Sequence, residues 1–221
     1  MDLKTAINER HSVRQYTDAP IEEEKVAQLN EAIREANRES GLNMQLILND
    51  PDCFNVFLAH YGKFQNAVNY IAMVGDKSLA GLEEKAGYFG QKIVLFAQQI
   101  GLNTCWVAGT YGKGKCKAQI GTNEKLVCVI AVGYGENQGK EHKSKPLGKL
   151  CKVPASEMPP WFAEGVEAAL KAPTAINQQK FVISLENEEA VITAKSAVLA
   201  KVDLGIVKYN FEAASGHKVK R

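Results

Sequence analysis

Most of the short patterns that reveal a protein's chemistry are missing from this sequence. It has no HExxH, no GxGxxG and no GxxxxGK[ST], so the usual zinc, dinucleotide and P-loop signatures give no reading. GKGK at 112–115 is a flexible basic turn rather than a nucleotide loop. Its five cysteines (Cys53, Cys105, Cys116, Cys128, Cys151) form no CxxC and no metal-ligand spacing. Free thiols in a reducing compartment are expected from that count and scatter. No apolar run approaches membrane-spanning length, and MDLKTAINER is too polar for a secretory signal, so a cytoplasmic location is expected. Charge is also nearly balanced: 27 basic against 25 acidic residues, net +2. Neither nucleic acid nor an anionic membrane is expected as the main partner, and any anion site must be local.

The composition present is that of a folded globular chain, 45% apolar and 24% charged over 221 residues, enough to bury a core. Periodicity predicts a short helix over 2–10, with Leu3, Ala6 and Ile7 on one side. A second helix is predicted over 21–38, where Val26, Leu29, Ile33 and Ala36 recur at helical spacing. A strand is expected over 44–50, a helix opening at Pro51-Asp52, a buried strand over 69–76, and a long buried helix over 79–100 ended by Gly101. KLVCVIAVGYG, 125–135, reads as a strand apolar on both faces. A connection rich in Lys, Gly and Pro covers 136–160. A helix (161–171), strands (180–186 and 189–194) and a helix (203–215) follow. This order lacks a regular βαβ alternation, so the expected class is α+β, a mixed or antiparallel sheet flanked by helices.

Two pairs of segments echo each other in the same order. SGLNMQLIL (40–48) resembles TAINQQKFV (174–182), and GQKIVLFAQQIG (90–101) resembles GIVKYNFEAASG (205–216). The expectation is one domain over 1–221 whose halves, about 1–135 and 161–221, are joined by the basic connection 136–160. Such halves would pack about a pseudo-two-fold axis, like a homodimer fused into one chain.

The first half contains ERHSVRQY, residues 9–16. Arg10, Ser12 and Arg14 together offer two guanidinium forks and a hydroxyl, a donor set suited to phosphate oxygens. A solvated turn would use the same residues. Lys143-Ser144-Lys145 is a second basic group. No nucleophile–base set stands out: the four histidines are far apart, and Cys105 sits among apolar residues as a packed thiol would. A chain without evident catalytic side chains often leaves the chemistry to a cofactor.

RHSVRQY, GLNTCWVAG, VIAVGYG and LKAPTAINQQKF together resemble the nitroreductase family of FMN-dependent NAD(P)H oxidoreductases. The family's signatures are R-[RH]-S-x-[RK]-x-[FY], a G-L-G-T-C-W-like segment and A-P-[ST]-x-x-N-x-Q-P-W. Here the good copy of the last comes late, Ala172 to Phe181, while a faded copy, Ser40 to Gln45, holds the usual place. The sequence thus resembles a divergent branch in which one chain mimics the dimer.

That resemblance implies a set of FMN-binding residues. Arg10 and Ser12 would hold the phosphate, His11 would contact the flavin, and Arg14 would lie near the ribityl chain and pyrimidine edge. Lys143 and Lys145 resemble late phosphate contacts. Pro173, Thr174, Ala175 and Asn177 correspond to the segment that reaches the flavin. The GLNTCWVAG segment, taken as a loop, would lie along the ring with Trp106, Val107 and Gly109 nearest. The implied reaction is ping-pong: hydride from NADH or NADPH passes through flavin N5 to a nitroaromatic, quinone or flavin acceptor. Departures at Ala108 and at Lys180-Phe181 leave a non-catalytic FMN carrier or redox sensor, or a remnant without cofactor, as alternatives. With phosphate-binding arginines in one half only, one FMN per chain is expected and a monomer would suffice.

Overall fold

Two long apolar runs, Tyr70–Asp76 and Glu124–Gly133, become neighbouring strands at the middle of the main sheet. The computed structural model describes residues 1–220. In chain order its helices are α1 (Leu3–Glu9), α2 (Glu23–Ser40), α3 (Phe57–Tyr61), α4 (Leu82–Gln99), α5 (Leu147–Leu150), α6 (Pro160–Leu170) and α7 (Ala200–Ser215). Its strands are β1 (Gln45–Ile47), β2 (Tyr70–Asp76), β3 (Asn103–Val107), β4 (Glu124–Gly133), β5 (Phe181–Glu186) and β6 (Glu189–Ala194). The architecture is α+β with antiparallel pairing throughout the named strands. No helix among the described residues is long and apolar enough to cross a membrane.

The chain separates into two compact units, interleaved in sequence: one of residues 10–82 with 93–141, the other of 1–9, 83–92 and His142 onward. The first holds the four-stranded sheet, order β1-β2-β4-β3. β2 is buried from Tyr70 to Gly75, which is why its sequence is continuously apolar instead of alternating. Tyr70 faces Ala131 and Asp76 faces Glu124, with one irregularity between Met73 and Val74. α2 buries Leu29, Ile33 and Ala36 on one stripe and stops at Gly41, whose φ of 76° sends its N–H back to the Asn37 carbonyl at 2.9 Å. The Asn37 side chain then clamps Met44, donating to its carbonyl at 2.9 Å and accepting its N–H at 2.8 Å. That clamp aims the chain into β1.

Two expectations need correction here. The helix expected from Pro51 does not form there: the Phe54 and Asn55 N–H groups both return to the Pro51 carbonyl at 3.2 and 2.9 Å, making a turn, and α3 begins only at Phe57. GLNTCWVAG is not a loop. Its Asn103–Val107 stretch is β3, paired with β4 from Asn103 opposite Gly133 to Val107 opposite Val129.

In the second unit α6 and α7 pack through Phe162 and Phe211, ring centroids 5.7 Å apart. Residues 83–92 of α4 cross α7 within this unit. Lys208 pairs with Glu84 at 2.6 Å, and the Gln91 amide donates to the Asn210 side-chain oxygen at 2.9 Å. β5 and β6 form a hairpin whose turn residues, Asn187 and Glu188, take φ of 51° and 63°, the mirror-image geometry that a two-residue hairpin loop requires.

Candidate functional site

The RHSVRQY segment is extended and stitched along one edge of β3. Ser12 bridges Thr104, and the Val13 N–H donates to the Thr104 carbonyl at 3.1 Å. Farther along, the Tyr16 N–H reaches the Gln65 carbonyl and the Gln65 N–H reaches the Arg14 carbonyl, both at 3.0 Å. Tyr16 folds its hydroxyl back to the Val13 carbonyl at 2.8 Å. Val13 and Tyr16 are core residues, and their three-residue spacing carries Arg10 inward while Arg14 stays exposed.

Arg10 is 4% exposed. Burial lowers its pKa to about 10, with the Cys105 sulfur opposing, so the guanidinium is still cationic near neutral pH. No carboxylate pairs with it and no acceptor hydrogen-bonds it among the described residues. A buried cation left unpaired is costly. Beside the stitched segment, the Thr104 hydroxyl is buried without a partner. Cys105 feels Arg14, Arg10 and the Ser12 side chain, which all favour a thiolate, yet burial outweighs them and its pKa is raised. Arg10, Ser12, Arg14 and Cys105 therefore converge, as two cations, a hydroxyl and a protonated thiol that lack an anion of their own among the described residues.

A glycine turn closes over this segment. The His11 Nδ1 contacts the Gln138 carbonyl at 3.1 Å, which requires Nδ1 to carry the proton. Gly139, at φ 75°, packs so tightly that a Cβ there would lie 2.8 Å from the His11 Cβ and 2.9 Å from the Ser12 carbonyl oxygen. Asn137 accepts the Gly139 N–H and donates to the Gln15 side chain, both at 2.9 Å. Asn103 donates to the Gln138 side chain and accepts the Gly135 N–H, both at 3.0 Å. Asn103, Asn137, Gln138 and Gly139 were not expected as site-building residues. The glycines of GYGENQG were the signal for the last three, and Asn103 lay within GLNTCWVAG. Trp106 and Val107 lie in β3, Val107 buried and Trp106 half-buried, whereas Gly109 just beyond is exposed and a Cβ on it would meet nothing within 4 Å.

The other predicted residues lie in the second unit, around Thr174–Gln179. Ile176, Asn177 and Gln179 have φ of 46°, 55° and 46°, an unusual run for residues other than glycine. Buried Asp203 holds the loop, accepting the Ala175 N–H at 2.9 Å and the Gln178 amide at 2.8 Å. Burial raises the pKa of this carboxyl, and those two hydrogen bonds only partly offset it. Thr174 accepts the Gln179 N–H through its hydroxyl at 3.0 Å, and Pro173 is buried behind it. Lys143 and Asn177 do come together: the Asn177 amide donates to the Lys143 carbonyl at 3.0 Å, as does the Gln179 amide. The exposed Lys143 ammonium has no partner among the described residues. Lys145 is different, since its ammonium reaches the Gln178 carbonyl and its N–H the Gln179 side chain. The loop's most exposed apolar residue is Ile176, 97% exposed, which the sequence reading passed over.

No group of three or more His, Cys, Asp or Glu side chains able to hold a metal ion occurs among the described residues. Residues 2–215 match the sequence profile of the family described as "Putative TM nitroreductase". Among solved structures, a "putative nitroreductase" from Thermotoga maritima is 22% identical, covers 97% of this chain and 83% of its own, and superposes with a TM-score of 0.71. A "putative nitroreductase in complex with FMN" from Desulfovibrio desulfuricans is 23% identical over 66% of this chain and 93% of its own, TM-score 0.53. An FMN-dependent nitroreductase from Clostridium difficile is 20% identical over 63% and 91%, TM-score 0.51. At such identities these likenesses concern the fold. No curated protein matches the sequence.

Proposed function

The chain belongs to the "Putative TM nitroreductase" family, and from that premise we propose that it is an FMN-dependent NAD(P)H oxidoreductase acting on a small-molecule acceptor such as a nitroaromatic, a quinone or a flavin. The observation that carries the reading is Arg10: a buried cation with no acceptor among the described residues, next to Ser12, Arg14 and an unpartnered Thr104 hydroxyl. A phosphate dianion supplies the missing charge and the missing acceptors at once.

When bound, FMN would contribute the two-electron chemistry at its N5, taking hydride from the nicotinamide and passing it on. The chain's own part is binding and orientation. Arg10 and Ser12 grip the phosphate. Arg14, exposed and unpaired among the described residues, adds positive charge near the ribityl chain and pyrimidine edge. His11, fixed by the Gln138 carbonyl, keeps its Nε2 available to a ligand. Gly109 leaves open space where a ring can lie against the main chain. Lys143 is proposed as a further anion contact, and Asn177 and the exposed Ile176 as ligand contacts from their own loop. One FMN per chain is expected.

Titrating purified protein with FMN, and with riboflavin as the phosphate-free control, tests this reading. FMN should bind and colour the protein, with riboflavin weaker by about tenfold or more. The double variant Arg10→Ala, Ser12→Ala should lose the colour. Protein that stays colourless in excess FMN overturns the proposal. Anaerobic NADH or NADPH then separates enzyme from carrier: loss of the flavin absorbance supports turnover, and its persistence supports a carrier.

A further inference from the structure

Five cysteines without a CxxC offered no redox motif, yet two of them, Cys53 and Cys116, meet in the unit that contains the main sheet. Cys53 sits in the turn after Pro51-Asp52, fully buried, with its carbonyl accepting the Gly112 N–H at 2.8 Å. Cys116 is half-exposed, just after the basic turn Lys113–Lys115. Cys53 belongs to the buried cluster that includes Phe54 and Tyr70, and Cys116 packs against that cluster, so that each thiol acts on the ionisation of the other.

Polar groups surround the pair. Tyr70 donates its hydroxyl to Asp50 at 2.5 Å and accepts the Lys117 N–H at 3.0 Å, and its oxygen is also within reach of the Cys116 sulfur. The Lys117 ammonium pairs with Asp50 at 3.0 Å. The two thiols are held unequally. Cys116 lies below an ordinary thiol, chiefly because of the neighbouring Cys53 thiol, with help from the Ala118 N–H against the opposing burial and Asp50 charge. Cys53 is pushed up by its Cys116 neighbour and by burial. Burial also raises Cys105, Cys128 and Cys151. One partly accessible thiolate backed by one protonated thiol is the arrangement of an attacking and a resolving cysteine.

We propose that Cys53 and Cys116 are a peroxide-oxidisable dithiol that closes to a reversible intramolecular disulfide. The Cys116 thiolate attacks one oxygen of hydrogen peroxide, the O–O bond breaks, and the departing hydroxide takes up the proton that Cys116 had released, leaving a sulfenic acid and one water. The Cys53 sulfur then attacks the sulfenic sulfur, the S–O bond breaks, and hydroxide leaves with the Cys53 proton as a second water. Two thiols have lost two electrons to one peroxide, and the new S–S bond ties the 51–54 turn to the segment after Gly112.

The test is brief treatment of the reduced full-length protein with hydrogen peroxide, followed by intact-mass measurement and peptide mapping. The expected result is the loss of two hydrogen atoms, two of the five thiols no longer titrating, and a peptide joining Cys53 to Cys116 that dithiothreitol separates. In Cys53→Ser the sulfenic acid should persist on Cys116 and be captured by dimedone; in Cys116→Ser no linked peptide should form. If either variant fails to fold, the wild-type map decides by itself. Addition of oxygen without a link, or a link between other cysteines, overturns the proposal.

Discussion

Gly87 of α4 faces the main-chain carbonyl of Val202 so closely that a Cβ at position 87 would lie 2.0 Å from that oxygen. Gly205 of α7 mirrors it, with a Cβ falling 2.0 Å from the Glu84 carbonyl. The two helices cross backbone against backbone, with no side chain between them to rotate away. Alanine in a helix normally gains about 1 kcal/mol over glycine, but overpacking costs about 1–3 kcal/mol, and a 2.0 Å approach to a main-chain oxygen lies at the top of that range. Gly205→Ala should therefore lose about 2 kcal/mol of stability, read as a lower urea midpoint at unchanged slope. An unchanged or raised midpoint would contradict the close crossing.

Arg10 provides a prediction in which stability and binding move oppositely. Arg10→Met replaces a buried cation, unpaired among the described residues, with an apolar chain of similar length, so FMN-free protein should gain stability or stay level. FMN affinity should fall by about tenfold to a hundredfold, the worth of charge-assisted hydrogen bonds. Urea unfolding with and without FMN measures both. A variant that is less stable without FMN would mean that Arg10 is satisfied by the protein itself.

How much of this could be read beforehand depended on whether a signal was local. β2 and β4 were legible because burial on both faces leaves an unbroken apolar run. β3 was not: five residues beginning with Asn103 and Thr104 show neither alternation nor an apolar run, and Asn103 tolerates burial through partners that only the fold supplies, Gly135 and Gln138. RHSVR offered donors suited to an anion, which a solvated turn would use as well. Which arginine turns inward was hidden, because that follows from Val13 and Tyr16 docking on the sheet. The Cys53–Cys116 pair gave no signal at all, since a long stretch of chain separates two residues that meet only after β2 and the Gly112 turn are in place.

Two buried carboxyls should give opposite dependences on pH. Burial raises the Asp50 pKa, but the Tyr70 hydroxyl and Lys117 outweigh it and hold the value below 3.8. Its stabilisation is therefore present above 3.8 and lost as pH falls through the lowered value. Asp203 has the opposite sign: burial lifts it above 3.8, so its contribution is present below 3.8 and lost as pH rises through the raised value. Asp50→Asn should remove part of the acid-side loss, and Asp203→Asn should flatten the decline above it. Denaturation midpoints followed from acid to neutral pH check both slopes; identical profiles for wild type and variants would refute the assignments.

Gly109 separates what the fold requires from what a ligand requires. It follows β3 directly, and a methyl group there would meet nothing within 4 Å. Its φ also lies outside the left-handed range, so alanine can take up the same backbone without strain. Gly109→Ala should then leave the urea midpoint unchanged to about 0.5 kcal/mol, as for an ordinary surface substitution. If a flavin ring packs against this main chain, the same methyl group occupies the space of the ring, and FMN affinity should drop while Arg10 and Ser12 still hold the phosphate. The drop should therefore be larger for riboflavin, which lacks that second anchor, than for FMN. Parallel titrations of the variant with the two flavins measure the difference. Equal and undiminished affinity for both would place the ring away from β3, whatever grips the phosphate.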